Sequence, residues 1–97
     1  MIEVAHIEFT DTAPNCVSRS FLRLHNPVER SRELQVIQLM EPFYCLHLNK
    51  TVIDSKYSIE LPLEFRPRIK QDYVDKILIR VEGCENPLTC IIKGRCI

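Results

Sequence analysis

Between Tyr57 and Pro67 the chain reads YSIELPLEFRP, with Tyr57, Ile59, Leu61, Leu63 and Phe65 on every second position and Ser58, Glu60, Pro62, Glu64 and Arg66 between them. Alternation of this kind describes a strand buried on one face, because successive side chains of an extended backbone point to opposite sides. Wound at about 100° per residue, the same five apolar residues would scatter around a helix. The pattern therefore predicts that all five face a core. Pro62 has no N–H to give to a ladder, which predicts a sheet edge or a bulge at this strand. A half-buried strand needs a second apolar layer, and the rest of the chain has to supply it.

Shorter stretches repeat the theme. Val4 to Phe9 alternates roughly and runs into the turn formers Thr10 to Asn15. Val17 to Leu24 places Leu22 and Leu24 opposite Arg19, Phe21 and Arg23, and stops at His25–Asn26–Pro27, where Asn-Pro initiates a turn. Leu34, Val36, Ile37 and Leu39 slip in phase by one residue between Val36 and Ile37, the mark of a bulge or of a strand that changes sheets. A short helix from Ser31 to Met40 is the competing reading, since Leu34, Ile37 and Met40 stand three apart. After Glu41–Pro42, Phe43 to Leu48 is apolar on both sides, as expected of a central strand. Val52 and Ile53 form a brief pairing segment. Beyond the polar loop from Arg68 to Asp72, Tyr73, Ile77, Ile79 and Val81 share a face, and Leu88, Cys90 and Ile92 alternate in a last strand that loosens at Gly94. Gly83 to Pro87 forms the hairpin connection between these two. About seven or eight short strands without a long helix predict an immunoglobulin-like antiparallel β-sandwich.

Composition narrows the function classes. The chain has 97 residues, one domain's worth, and is 45% hydrophobic, as globular proteins are. Thirteen basic and thirteen acidic residues cancel, so no net charge is available to hold nucleic acid or an anionic membrane. No apolar run approaches the roughly 18 residues that a membrane span requires. The N-terminal MIEVAHIEF carries an acid where a secretion signal has a basic region, which predicts a cytoplasmic protein. Five cysteines, an odd number, then read as reduced thiols packed as small hydrophobes.

Chemistry-bearing constellations are sparse. Cys84, Cys90 and Cys96 recur every six residues and three histidines are present, but structural zinc sites bring ligands in closer pairs, so no metal is expected. Cys84 and Cys90 flank the Asn86–Pro87 turn and could face each other as a disulfide only in an oxidising compartment. Cys, Ser, His and acids occur, yet none stands in a nucleophile motif, so neither catalysis nor a cofactor is expected. Arg66, Arg68 and Lys70 put three cations on alternate positions of one loop, and Lys93 and Arg95 add two near the end. A solvated loop is the plain explanation; a docking patch for an acidic protein segment is the functional one. Tyr73 suits a tyrosine corner, in which the hydroxyl ties to upstream backbone.

Three stretches together resemble a known family: the ending Leu22–Arg23–Leu24–His25–Asn26–Pro27, the strand Ile59 to Pro67 with Tyr73 to Ile79 behind it, and the closing Ile91–Ile92–Lys93–Gly94–Arg95–Cys96. An apolar strand ending in Asn, a strand ending in Phe-x-Pro, a Tyr-led strand and a last strand closing on Gly resemble PapD-like domains. More narrowly, they are similar to ASH domains, named for the abnormal-spindle, spindle-defective and hydin proteins, within the major-sperm-protein superfamily. The family's glycine between the first two strands is absent here. The resemblance implies a non-catalytic module of a larger centrosomal or ciliary scaffold whose partners are other proteins or neighbouring domains. Its alternative is a tether or chaperone of major-sperm-protein type that pairs an edge strand with a peptide; the basic strand with which that branch binds acidic peptides has no match in this sequence.

Overall fold

The computed structural model describes Glu3, Val4 and residues 6–97, and those residues form an all-β sandwich. Its strands are β1 (Glu3–Val4), β2 (Ile7–Glu8), β3 (Ser18–His25), β4 (Arg32–Gln38), β5 (Phe43–Cys45), β6 (Thr51–Ile53), β7 (Ser58–Phe65), β8 (Asp72–Val81) and β9 (Leu88–Arg95). One sheet has the order β1-β3-β7-β5 and the other β2-β9-β8-β4-β6. The predicted first strand, Val4 to Phe9, spans Ala5, which lies outside the described residues. On either side of that residue the chain serves different sheets: β1 pairs antiparallel with β3, and β2 pairs parallel with β9. Splitting that strand brings the number to nine among the described residues.

The core lies between the sheets. Leu22 and Leu24 of β3, Leu61, Leu63 and Phe65 of β7, and Phe43 and Cys45 of β5 meet Leu34, Val36, Ile53, Ile77, Ile79, Val81, Cys90 and Ile92 from the facing sheet. The alternation read from the sequence thus places most of the core correctly. The slip between Val36 and Ile37 is a β-bulge: Val36 pairs with Ile79 and Gln38 with Leu78, which leaves Ile37 as the extra residue, and the helical alternative is overturned.

Four expectations change. Tyr57 is 66% exposed and Ile59 half-buried, so only Leu61, Leu63 and Phe65 of the five reach the core fully. The reason is local. Lys56 has a φ of 66° in a turn closed by Tyr57 N–H donating to Asp54 O (3.1 Å), and the regular pleat starts only at Ser58.

The edge placement of β7 is also corrected, because β3 flanks its whole length and β5 flanks Leu63 to Phe65. Pro62 nonetheless acts as anticipated from its missing donor. Leu46 N–H donates to Pro62 O (3.0 Å), so the backbone of Pro62 faces the β5 side, and the β5 ladder stops there for want of an N–H. That stop is the third change. Phe43 to Leu48 is not a central strand but a three-residue edge strand, after which Leu46 and Leu48 are 55% and 57% exposed.

Two further contacts give physical content to the family-like residues. Asn26, fully buried, donates from Nδ2 to Arg30 O (2.8 Å) and Ile53 O (3.0 Å) and accepts at Oδ1 from Val28 N–H, which ties the β3–β4 turn to the end of β6. Gly94 lies under the ring of Phe65, where a Cβ would stand 2.7 Å from two ring carbons. The last strand therefore does not loosen at Gly94 but continues to Arg95.

Candidate protein-docking surface

The surface is built outward from the Phe65–Arg66–Pro67 corner. Phe65 stacks on Phe43 at 5.1 Å between ring centroids, contacts Phe9 at 5.6 Å and receives Tyr73 edge-on at 5.7 Å. Pro67 is fully buried and its carbonyl accepts from Asn15 N–H (2.8 Å). Tyr73 Oη donates to Ile69 O (3.0 Å), the upstream backbone tie expected of a tyrosine corner. The loop that follows Pro67 thus leaves a fixed aromatic base, so the cations it carries project from a rigid frame.

On the outer face of the same sheet, Glu64 is only 5% exposed. Arg19 Nε donates to its Oε2 (3.0 Å) and Arg66 grips its Oε1, while the Arg66 guanidinium lies 4.6 Å from the centroid of the Tyr44 ring. The hydrogen bond from Arg19, followed by that from Arg66, holds the Glu64 carboxyl below the usual carboxylate range. A depressed folded pKa means stability that is present above the unfolded value of roughly 4.3 and lost as pH falls through the folded one. In Glu64→Gln the melting temperature should therefore drop at neutral pH and converge on that of the parent chain in acid. A constant gap down to acid pH would show that the carboxylate charge is not what the two arginines hold.

The five cations singled out in the sequence fall into two groups. Arg66 and Arg68 line one cleft of about 210 Å³ together with Glu41, Pro42, Tyr44, Ile69 and Tyr73, and Lys70 is exposed on the same loop. Lys93 and Arg95 line a different recess, of about 350 Å³, beside Glu8, Asp11 and Asp72. Arg95 Nε donates to Asp72 Oδ1 (2.7 Å), and that bond, with the charges of Asp72, Asp11 and Glu8, raises its pKa. Lys93 and Arg95 thus sit among acids, whereas Arg68 and Lys70 have no carboxylate partner among the described residues. What sequence reading missed is the supporting set: Glu64 as counter-ion, Tyr44 as platform and Tyr73 as wall. Glu64 and Arg66, two apart on one polar face, were the available signal; Tyr44 comes from a distant strand and carried none.

Of the cysteines, Cys16 and Cys84 are exposed and Cys45, Cys90 and Cys96 are buried. Cys90 stands opposite Ile77 across the β8–β9 ladder, while Cys84 sits in the connecting turn, so the two cysteines are not cross-strand neighbours. Burial pushes the Cys45 and Cys90 thiols up, away from the reactive thiolate form. Among the described residues no group of three or more His, Cys, Asp or Glu side chains is placed to hold a metal ion. Among the described residues no helix is long and apolar enough to cross a membrane.

No family model matches the chain, and no curated protein matches it. Solved structures do. The ASH/PapD-like domain of human CEP192 (PapD-like domain 7) superposes with a TM-score of 0.78 at 19% identity, over 99% of this chain and 84% of that one. A Porphyromonas gingivalis W83 protein of unknown function gives 0.81 at 12% identity, over all of this chain and 47% of that one. WR4, a Caenorhabditis elegans member of the MSP family, gives 0.61 at 14% identity, over 95% of this chain and 100% of that one. With the sandwich order, the buried Asn26, the Phe65–Pro67 corner and Gly94 beneath it, these likenesses show that the chain has an ASH/PapD-like fold.

Proposed function

We propose that the chain is a non-catalytic protein-interaction module, one ASH/PapD-like domain of a longer cytoplasmic scaffold protein of the centrosome or cilium. It docks an acidic segment of a partner or neighbouring domain at the cleft of Arg66 and Arg68, with Lys70 beside it. The observation that carries this reading is the division of labour among the cations. Arg66 is neutralised by Glu64 and braces the wall against Tyr44, while Arg68 and Lys70 are exposed and lack a carboxylate partner among the described residues. An aromatic-walled cleft with unspent positive charge fits a carboxylate-bearing segment, with affinity that falls as salt rises. Lys93 and Arg95 belong to a separate, acid-rich recess and are peripheral to this cleft.

The test is binding of a fluorescent oligo-glutamate peptide, read by anisotropy across a salt series. Arg68→Glu with Lys70→Glu should leave the melting temperature within a few degrees, because exposed charges contribute little to stability, and should abolish the salt-sensitive binding. Lys93→Glu should leave binding nearly unchanged. Equal binding by the parent chain and the double variant would refute the cleft as the docking site.

A second reading, strand addition by a peptide, has one observation in its favour. The groove between β4 and β5, about 540 Å³, is lined by Ile37, Leu39, Phe43 and Leu48 and lies where β5 forms an open sheet edge. Binding there would be insensitive to salt and to the Arg68 and Lys70 substitutions, which separates the two readings in the same experiment.

A further inference from the structure

At the end of the sandwich opposite the Arg66 cleft, Arg32 occupies the first position of β4 with the same parity as Leu34 and Val36, so its side chain starts along the inner face. The guanidinium reaches the β8–β9 turn, which Glu82 N–H donating to Glu33 O (2.8 Å) fastens beside β4, and Nη1 donates to Glu82 O (2.8 Å). Its Nε is buried with no hydrogen-bond partner, the one such side-chain atom among the described residues. A buried N–H without an acceptor costs about 1 to 3 kcal/mol, more when it belongs to a charged group, so this guanidinium is left with donor capacity to spare.

A second guanidinium arrives at the same place. The volume that a Cβ on Gly83 would take is 3.2 Å from Arg32 Nη1 and 3.9 Å from Arg30 Nη2. Gly83 itself has a φ of 82°, which only glycine adopts freely, and its bare α-carbon leaves that volume open. Arg30 is held in position because its carbonyl accepts from the buried Asn26 Nδ2. Neither arginine has a carboxylate partner among the described residues, whereas Arg19, Arg23, Arg66 and Arg95 all do. Two like charges facing one small gap repel, and an anion between them reverses the sign of that term.

We propose that Arg30 and Arg32, converging over Gly83, form an oxyanion-binding site that takes a phosphate or carboxylate group. Guanidinium forks match the geometry of both groups, and charge-assisted hydrogen bonds to them are about twice as strong as neutral ones. The exposed carboxylates of Glu82 and Glu85 on the same turn oppose the anion and set the expected affinity low. Removing one of them should tighten binding. The site is independent of the Arg66 cleft, which lies at the other end of the sandwich, so either can fail without the other.

The experiment is a titration of the uniformly labelled chain with inorganic phosphate, and separately with acetate, followed by nuclear magnetic resonance at an ionic strength held constant with chloride. Saturable shifts of the Gly83 and Cys84 amides and of the Arg30 and Arg32 Nε–H signals are expected. Affinity should fall at least tenfold in Arg30→Gln, a substitution of an exposed side chain, and rise in Glu82→Gln. Lys93→Gln, in the recess at the far end of the sandwich, should change nothing. A tighter response to phosphate points to a phosphorylated ligand and a tighter response to acetate to an acidic side chain. Shifts that do not saturate, that chloride reproduces, or that survive Arg30→Gln would overturn the site and leave water as the acceptor for Arg32 Nε.

Discussion

Asn26→Asp is expected to destabilise the domain more than Asn26→Ala, although aspartate is the closer match in shape. In the alanine variant the carbonyls of Arg30 and Ile53 lose their donor and the Val28 N–H loses its acceptor. Unsatisfied buried groups of this kind cost about 1 to 3 kcal/mol each, so a net loss of about 2 to 4 kcal/mol is expected. Aspartate keeps the acceptor but turns a second oxygen toward two carbonyls at a site with no exposure, and an unpaired buried charge costs about 3 to 5 kcal/mol. Against a typical total of about 5 to 15 kcal/mol, either loss is large, and at about 4 to 8 °C per kcal/mol it is easily read in a thermal melt. The sign of the pH dependence is the sharper check. A carboxyl buried among acceptors is favoured in its protonated, donating form, so the Asn26→Asp deficit should shrink as pH falls, while the Asn26→Ala deficit stays level. An aspartate variant as stable as the parent chain at neutral pH would mean that the Nδ2 bonds do not hold the turn.

Gly94→Ala is expected to cost about 2 to 3 kcal/mol, toward the upper end for one added methyl in a packed core. The added Cβ would meet the Phe65 ring at 2.7 Å, well inside contact distance, and the ring has nowhere to retreat because Phe43, Phe9 and Tyr73 pack around it. The clash is specific to one partner, so a double-mutant cycle isolates it. Phe65→Leu alone should destabilise by opening a gap, yet in the Gly94→Ala background it should cost little or restore stability. Strict additivity of the two changes would place the penalty in the strand backbone rather than in the ring. The same pair has a functional side. Phe65 is the residue before Arg66, and a displaced ring would tilt the corner on which Arg66 and Arg68 are mounted, so Gly94→Ala should weaken oligo-glutamate binding beyond its effect on the folded fraction.

The two sites proposed occupy opposite ends of the sandwich and share a construction rule. In each, one arginine is fixed by the fold, Arg66 by Glu64 and Tyr44, Arg32 by the Glu82 carbonyl, and a more exposed neighbour, Arg68 or Arg30, supplies a second charge. A fixed cation lowers the entropy lost on binding.

The sequence by itself determined what depends on near neighbours. Period-two alternation marked the inward faces of β3, β7, β8 and β9, and the phase slip at Val36–Ile37 marked the bulge, because a pleat repeats every two residues and one extra residue must break it. The residues that carry the resemblance to ASH domains, Asn26, Phe65, Pro67, Tyr73 and Gly94, were legible as a spacing, though their work was not. Only the tertiary structure decided what depends on meetings across the fold. It put Tyr57 in water by starting the pleat only after a left-handed Lys56, placed Phe43–Cys45 at the sheet edge with its ladder cut short at Pro62, and divided the five cations by surrounding two of them with acids. It also brought Arg30 and Arg32 together with Gly83, some fifty residues away in sequence, across the β4–β8 side of the sheet. Alternation encodes which side of a strand is buried; which strand lies next to which, and therefore which charges meet, follows from packing that no single stretch contains.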